Sequence, residues 1–248
     1  MGQAIAFVSG KGGTGKTSLA AGIGSALAQM GKHVLLIDCD VGLRNLDLAL
    51  GLSDRTLMDF SDVIAGRCSF ENAVVRHGEL KNLYLLTAPL HLDAEDVTEA
   101  QMRRFVHAAK QVFDAVLLDA PAGLGLGFSL ALAGADRAVV VTQNDPSSLR
   151  DAQHTVSLLH RFPRGSLHLI VNRVDAKLFK SLHTTVDDAM DAAGLPLIGI
   201  VPEDELVPIA LARSTPLLLT GDRSASLACR NIARRLSGER VGLMKISH

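Results

Sequence analysis

Gly10-Lys11-Gly12-Gly13-Thr14-Gly15-Lys16-Thr17, followed by Ser18, comes one residue after the apolar run Ile5 to Val8 and before a helically spaced segment, Leu19 to Met30. Every fixed position of the G-x-x-x-x-G-K-[S/T] pattern is filled, in the strand-to-helix context that the pattern requires. Glycines let backbone N–H groups turn inward around phosphate oxygens, and the helix that opens here adds its positive end. In that arrangement Lys16 reaches the β and γ phosphates and the Thr17 hydroxyl takes a place on Mg²⁺, so ATP with Mg²⁺ is the expected ligand. Residues Gly10 to Ser18 are read together as the phosphate-binding loop. Lys11 is a second lysine inside this loop, where the pattern asks for none.

Outward from the loop, continuous apolar runs bounded by Gly, Asp or Pro recur at Val34 to Ile37, Leu83 to Leu86, Ala115 to Leu118, Ala138 to Val141, Leu167 to Val171 and Leu197 to Val201. Runs without polar alternation predict strands covered on both faces. Helical spacing fills the gaps, at Gln101 to Val112, Ser147 to Phe162, Thr184 to Ala193 and Ala225 to Leu236. Strand and helix alternate throughout, which predicts an α/β fold with a doubly wound, mostly parallel sheet and helices on both faces. No low-complexity linker or repeat divides the chain, so residues 1–248 are expected to form a single P-loop ATPase domain with a short tail at 239–248.

Ligands of such sheets sit outside the carboxyl ends of the strands. Asp38 and Asp40 follow the second apolar run and fall on one side of the chain if the extension persists, both able to face Mg²⁺ and the γ-phosphate. Asp119 ends the run Ala115 to Leu118 and is expected to meet Mg²⁺ through water. Asn172 follows Leu167 to Val171, and its amide offers a donor and an acceptor suited to the edge of adenine. Pro202, Glu203 and Asp204 form the loop after the last run.

Composition excludes several classes. Of the 248 residues, 48% are hydrophobic, which excludes disorder as the overall state. Lys plus Arg (25) nearly balance Asp plus Glu (26), leaving no excess of positive charge for nucleic acid or anionic lipid. Three cysteines at wide spacing fit neither a disulfide framework nor a Cys-rich metal site, and a reducing cytoplasm is expected. The nine histidines show no H-x-x-x-H spacing and no Gly-x-Ser-x-Gly elbow is present. No apolar run is long enough to span a bilayer and no leader is evident, so a cytosolic protein is expected.

Lys11-Gly-Gly-Thr-Gly-Lys-Thr17 resembles the deviant Walker A motif of the MinD/ParA ATPases, and the similarity to the MinD members extends from residue 3 to about residue 238. It is carried by Asp38-Cys-Asp40-Val-Gly-Leu-Arg-Asn45-Leu-Asp47, Asp119-Ala-Pro-Ala-Gly123, Gly134-Ala-Asp136-Arg137-Ala, Val201-Pro-Glu-Asp-Glu205 and Arg230-Asn-Ile-Ala-Arg-Arg235. The resemblance implies an ATPase switch that controls placement of the division septum. It implies that ATP produces a face-to-face homodimer in which Lys11 of one subunit reaches phosphates held by the other. It also implies that Asp40 orients the attacking water, that Asp38 and Asp119 support the metal through water, and that Pro121 to Gly123 sense the γ-phosphate. Asn172 with Pro202, Glu203 and Asp204 would hold the base. Asn45 either couples its loop to nucleotide state or caps the following turn. A protein regulator or division inhibitor is the expected partner.

The chain departs from the MinD pattern at its end, where residues 239–248 hold only Arg240 and Lys245 as cations and place Gly242 among Val241, Leu243, Met244 and Ile246. Weak contact with the inner face of the cell membrane is the expectation. Residues Asp145 to His154 also differ from those that MinD offers an activator, with Gln153 where Asp is common. The alternative is a DNA-segregation or flagellar-placement ATPase of the same family; the former would require a basic face, which the charge balance argues against.

Overall fold

Each expected apolar run forms a strand in the computed structural model, which describes residues 1–163, 165–182 and 185–244. In chain order the elements are β1 (Gln3–Val8), α1 (Lys16–Gln29), β2 (Val34–Asp38), α2 (Leu46–Leu50), α3 (Phe60–Ile64), α4 (Phe70–Ala73), β3 (Val75–Arg76), β4 (Leu83–Leu86), α5 (Glu99–Ala109) and β5 (Ala115–Asp119). They continue with α6 (Leu126–Ala133), β6 (Arg137–Thr142), α7 (Pro146–Ser157), β7 (Leu167–Val174), α8 (Ala176–Leu182), α9 (Val186–Ala193), β8 (Leu197–Pro202), α10 (Leu206–Ala212) and α11 (Ala225–Leu236). Thr184, read as the start of a helix, lies outside the described residues; the helix there is capped by Thr185.

The strands form one sheet in the order β3-β4-β2-β5-β1-β6-β7-β8, parallel except for the antiparallel edge strand β3. Two-residue periodicity divides the continuous apolar runs between the two faces. Val34 and Leu36 of β2 pack on the side of α1 and α11, whereas Leu35 and Ile37 join α5, α6 and α7 on the other side. Ile5 and Phe7 of β1 follow the first set, and Ala4, Ala6 and Val8 the second. A strand buried on both faces needs no polar residue until it ends, which is why polar residues cluster at the carboxyl ends.

The tail from Glu239 to Met244 is not helical. Arg235 of α11 donates to the carbonyls of Val241 (2.9 Å), Gly242 and Ile198 (2.8 Å), and Met244 packs against the α1 side of the core. Lys245 and Ile246, named in the reading of the tail as a membrane contact, lie outside the described residues.

Candidate functional site

The phosphate loop leaves β1 at the centre of the sheet, between β5 and β6. Gly13 and Gly15 adopt left-handed conformations (φ 80° and 86°), the second as the residue before α1, so that the loop closes and the helix begins at Lys16. A side chain at Gly15 would be strained and would also collide with the Asn172 amide. Gly10 is needed for a different reason: a Cβ there would run into the Asp151 carbonyl and stand 2.7 Å from Thr155 Oγ1 of α7.

Parity along the strands explains what faces the loop. Asp119 shares the face of Ala115 and Leu117, and Asp38 that of Val34 and Leu36, so both carboxylates point toward α1 from strands that align them side by side. Lys16 Nζ donates to Asp119 Oδ1 at 2.8 Å, and the two side chains are 6% and 1% exposed. Asp119 Oδ2 is buried and has no partner. Asp38 is wholly buried; its Oδ1 accepts from the Asp40 N–H (2.8 Å) and its Oδ2 from the Leu46 N–H (3.1 Å). Burial, reinforced by the Asp119 charge, pushes the Asp38 carboxyl up to about 7 against the pull of these two N–H groups. Asp40 is also raised, by burial and by Asp119, with Lys16 acting in the opposite direction.

A cavity of about 600 Å³ runs from the loop to the ends of β7 and β8. It is bordered by Lys11, Lys16, Thr17, Asp40, Asn172 and Glu203, with Pro202 and Asp204 beside them. Asp38 and Asp119 stand behind its wall rather than in it, reached through Lys16 and the Asp40 backbone. Asn45 also borders the cavity and makes no capping hydrogen bond to α2, which removes the capping alternative. Among the described residues no group of three His, Cys, Asp or Glu side chains is placed to hold a metal alone.

Several partners were not legible in the chain order. Lys11 Nζ donates to Ser147 Oγ at the start of α7 (3.0 Å), and Gln143 Nε2 donates to the Gly13 carbonyl (3.1 Å). Asn172 Nδ2 donates to the Thr14 carbonyl at 2.7 Å, bracing the loop from β7. Asp204 accepts from Leu206 N–H (2.9 Å) and Ala225 N–H (3.0 Å), so its carboxylate joins the starts of α10 and α11. Arg44, at φ 48°, reaches from the loop after β2 to Thr56 Oγ1 (3.0 Å) and Thr87 Oγ1 (3.2 Å). Arg173 forms a two-pronged ion pair with Glu203.

Residues 5–217 match the family model described as the CobQ/CobB/MinD/ParA nucleotide binding domain. The septum site-determining protein MinD of Bacillus subtilis is 41% identical over 246 residues, covering 98% of this chain and 92% of the relative. Among solved structures, the Aquifex aeolicus MinC:MinD cell division protein complex aligns at a TM-score of 0.87 with 38% identity, covering 98% of each chain. The Pyrococcus horikoshii septum site-determining protein MinD complexed with Mg-ADP aligns at 0.81 with 29% identity, covering 95% of this chain and 96% of that one. The sheet order, the loop at its centre and the extent of these matches lead to one assignment: the chain belongs to the CobQ/CobB/MinD/ParA nucleotide-binding family and, within it, to the MinD proteins.

Proposed function

We propose that this protein is an ATP-driven switch in division-site placement that binds ATP, pairs face to face with a second copy, and hydrolyses the nucleotide. The observation that carries the reading is a complete phosphate loop with two lysines, Lys11 and Lys16, on one cavity that continues to Asn172 and Glu203. Residues 1–248 act as one nucleotide-binding domain with its tail. The Gly10 to Ser18 backbone holds the phosphates, and Lys16 exchanges Asp119 for phosphate oxygens. The unpartnered Asp119 Oδ2 and the Thr17 hydroxyl suit a hydrated Mg²⁺ that a polyphosphate completes, consistent with the lack of an all-protein metal cage. When bound, Mg²⁺ supplies charge neutralisation at the β and γ oxygens.

Asp40 is the group that orients the attacking water: it borders the cavity, and burial raises its carboxyl above the ordinary carboxylate value. Asp38 fixes Asp40 through its backbone N–H, so its support of the metal is indirect. Asn172 and the Pro202 to Asp204 loop border the base end. Lys11 is exposed and leaves Ser147 for the nucleotide of the second subunit, where a cation offsets charge on the transferring phosphoryl oxygens. Since a MinD relative is solved in a cell division protein complex with MinC, a MinC-like protein is the partner class, in keeping with the expected regulator or division inhibitor. None of the described helices is long and apolar enough to cross a membrane.

Light scattering in ATP tests the switch. In an Asp40→Ala background, which preserves ATP, a dimer is expected, and adding Lys11→Ala should return a monomer with nucleotide still bound. A dimer that survives loss of Lys11 refutes the cross-subunit role. Sedimentation of the loaded dimer with DNA instead of with a protein partner would favour the segregation reading.

A further inference from the structure

β7 breaks step with β8 where the cavity ends. Val171 pairs with Ile200 and Val174 with Pro202, so β7 spends three steps where β8 spends two. Such an extra residue is uncommon in parallel pairing and serves to re-aim side chains. Asn172 keeps the parity of Ile170 and turns toward the phosphate loop, whereas Arg173 takes φ 55°, a conformation that non-glycine residues rarely hold. Sparsely populated backbone of this kind persists where its surroundings over-determine it. Here the surroundings are the Glu203 N–H, which donates to the Val174 carbonyl (3.1 Å), and the Glu203 carboxylate. Arg173 Nε donates to Oε2 at 2.7 Å and Nη2 to Oε1 at 3.1 Å, a parallel fork that fixes the guanidinium plane.

Arg173 and Glu203 both border the far end of the cavity, beside the apolar side chains of Val207, Leu211 and Leu217. A nucleotide with its phosphates on the loop directs its base to this end. The chemistry of the two purines there differs: guanine presents O6 and N7 as acceptors, the pattern that an arginine edge matches with two hydrogen bonds, whereas adenine presents an N6 amino donor beside N7. A free guanidinium at this place would therefore favour guanine. The carboxylate of Glu203 occupies the Nε/Nη2 edge of this half-exposed guanidinium, offsets its charge, and presents oxygens that disfavour a carbonyl oxygen beside it.

We infer that Glu203 sets the base preference of this cavity by holding Arg173, so that adenine is selected over guanine. The inference rests on the nucleotide-binding reading above and goes further, because it assigns selectivity to an ion pair and not to contact with the base alone. Glu203 is on this account a positioning residue for Arg173.

Calorimetric titration with Mg-ADP and Mg-GDP separates the possibilities. Wild type is expected to prefer ADP. Glu203→Gln should narrow the ADP-to-GDP preference by about tenfold through tighter GDP binding, the worth of about one hydrogen bond from a charged donor. Arg173→Ala, and Arg173→Ala combined with Glu203→Gln, should not tighten GDP, since no guanidinium remains to be released. Thermal unfolding of each variant reports on folding, and a general structural effect would weaken both nucleotides together without changing their ratio. An unchanged ratio in Glu203→Gln, or tighter GDP binding in the variants lacking Arg173, overturns the inference while nucleotide binding stands. A wild type that binds neither diphosphate overturns the nucleotide reading and this inference with it.

Discussion

Replacing Asp119 by Asn leaves the Lys16 ammonium buried without its hydrogen-bonded counter-charge. The two side chains are 6% and 1% exposed and 2.8 Å apart, so solvent cannot compensate for the loss. Removing one partner of a buried pair costs about 3–5 kcal/mol because the remaining charge is stranded. The amide keeps the volume and one acceptor, and it relieves the repulsion that Asp119 exerts on Asp38, which places the cost near the lower end, about 3 kcal/mol. For a chain of this size that corresponds to a fall of about 6–12 °C in Tm. ADP in EDTA, with no metal present, then supplies phosphate oxygens to the stranded ammonium. In wild type the same ADP must draw Lys16 away from Asp119. The stabilisation by ADP, which grows as RT ln(1 + [ADP]/Kd), should therefore be larger in Asp119→Asn than in wild type. Urea and thermal unfolding with and without ADP measure both quantities. Equal unfolding of the two proteins without nucleotide, or equal gains from ADP, would refute the exchange of partners at Lys16.

Asp38→Asn should change how stability depends on pH. The folded carboxyl lies at about 7 against an ordinary value near 3.8, so its favourable contribution is complete below pH 4 and is lost as pH rises through 7, at most about 4 kcal/mol in all. The wild type should lose stability relative to the variant between about pH 4 and pH 7, and a pH-independent difference would count against the raised, buried carboxyl. Asp40→Ala should lower steady-state turnover by about 10²- to 10⁴-fold with ATP affinity retained; wild-type turnover would place the water elsewhere. Asn172→Ala deprives the Thr14 carbonyl of its 2.7 Å donor and should weaken ADP binding by about tenfold, a loss of about 1–2 kcal/mol, which competition with a fluorescent nucleotide measures. Unchanged affinity would show that the loop holds its shape without β7.

The strands and the loop were legible because both are local: a strand buried on two faces writes a continuous apolar run, and the phosphate loop writes its glycines and lysine in fixed order. The elements missed are those whose pattern is not periodic. Helix α6, Leu126–Ala133, is buried nearly all round and offers no polar face to mark its turns, while β3 spans two residues. Short α2 and α10 begin on carboxylates just upstream, Asp38 and Asp204 accepting from their first N–H groups, and neither is long enough to write a helical period.

At the site, legibility stops where a side chain's partner is remote in sequence. Parity groups Asp38 with Asp40, but it cannot say that Asp38 and Asp119 stand behind the cavity wall, already engaged, Asp119 by Lys16 across 103 positions and Asp38 by the backbone of its own loop. Aimed and available are different properties. Asp40, without such partners among the described residues and open to the cavity, is therefore the carboxylate proposed to orient water, whereas Asp38 holds the backbone that presents it. The same distinction separates Glu203 from Asp204: adjacent acids in one loop, one paired with Arg173 at the cavity and the other spent on the starts of two helices. Only the arrangement of donors around each carboxylate divides these five acids into those already engaged and the one left open to the cavity.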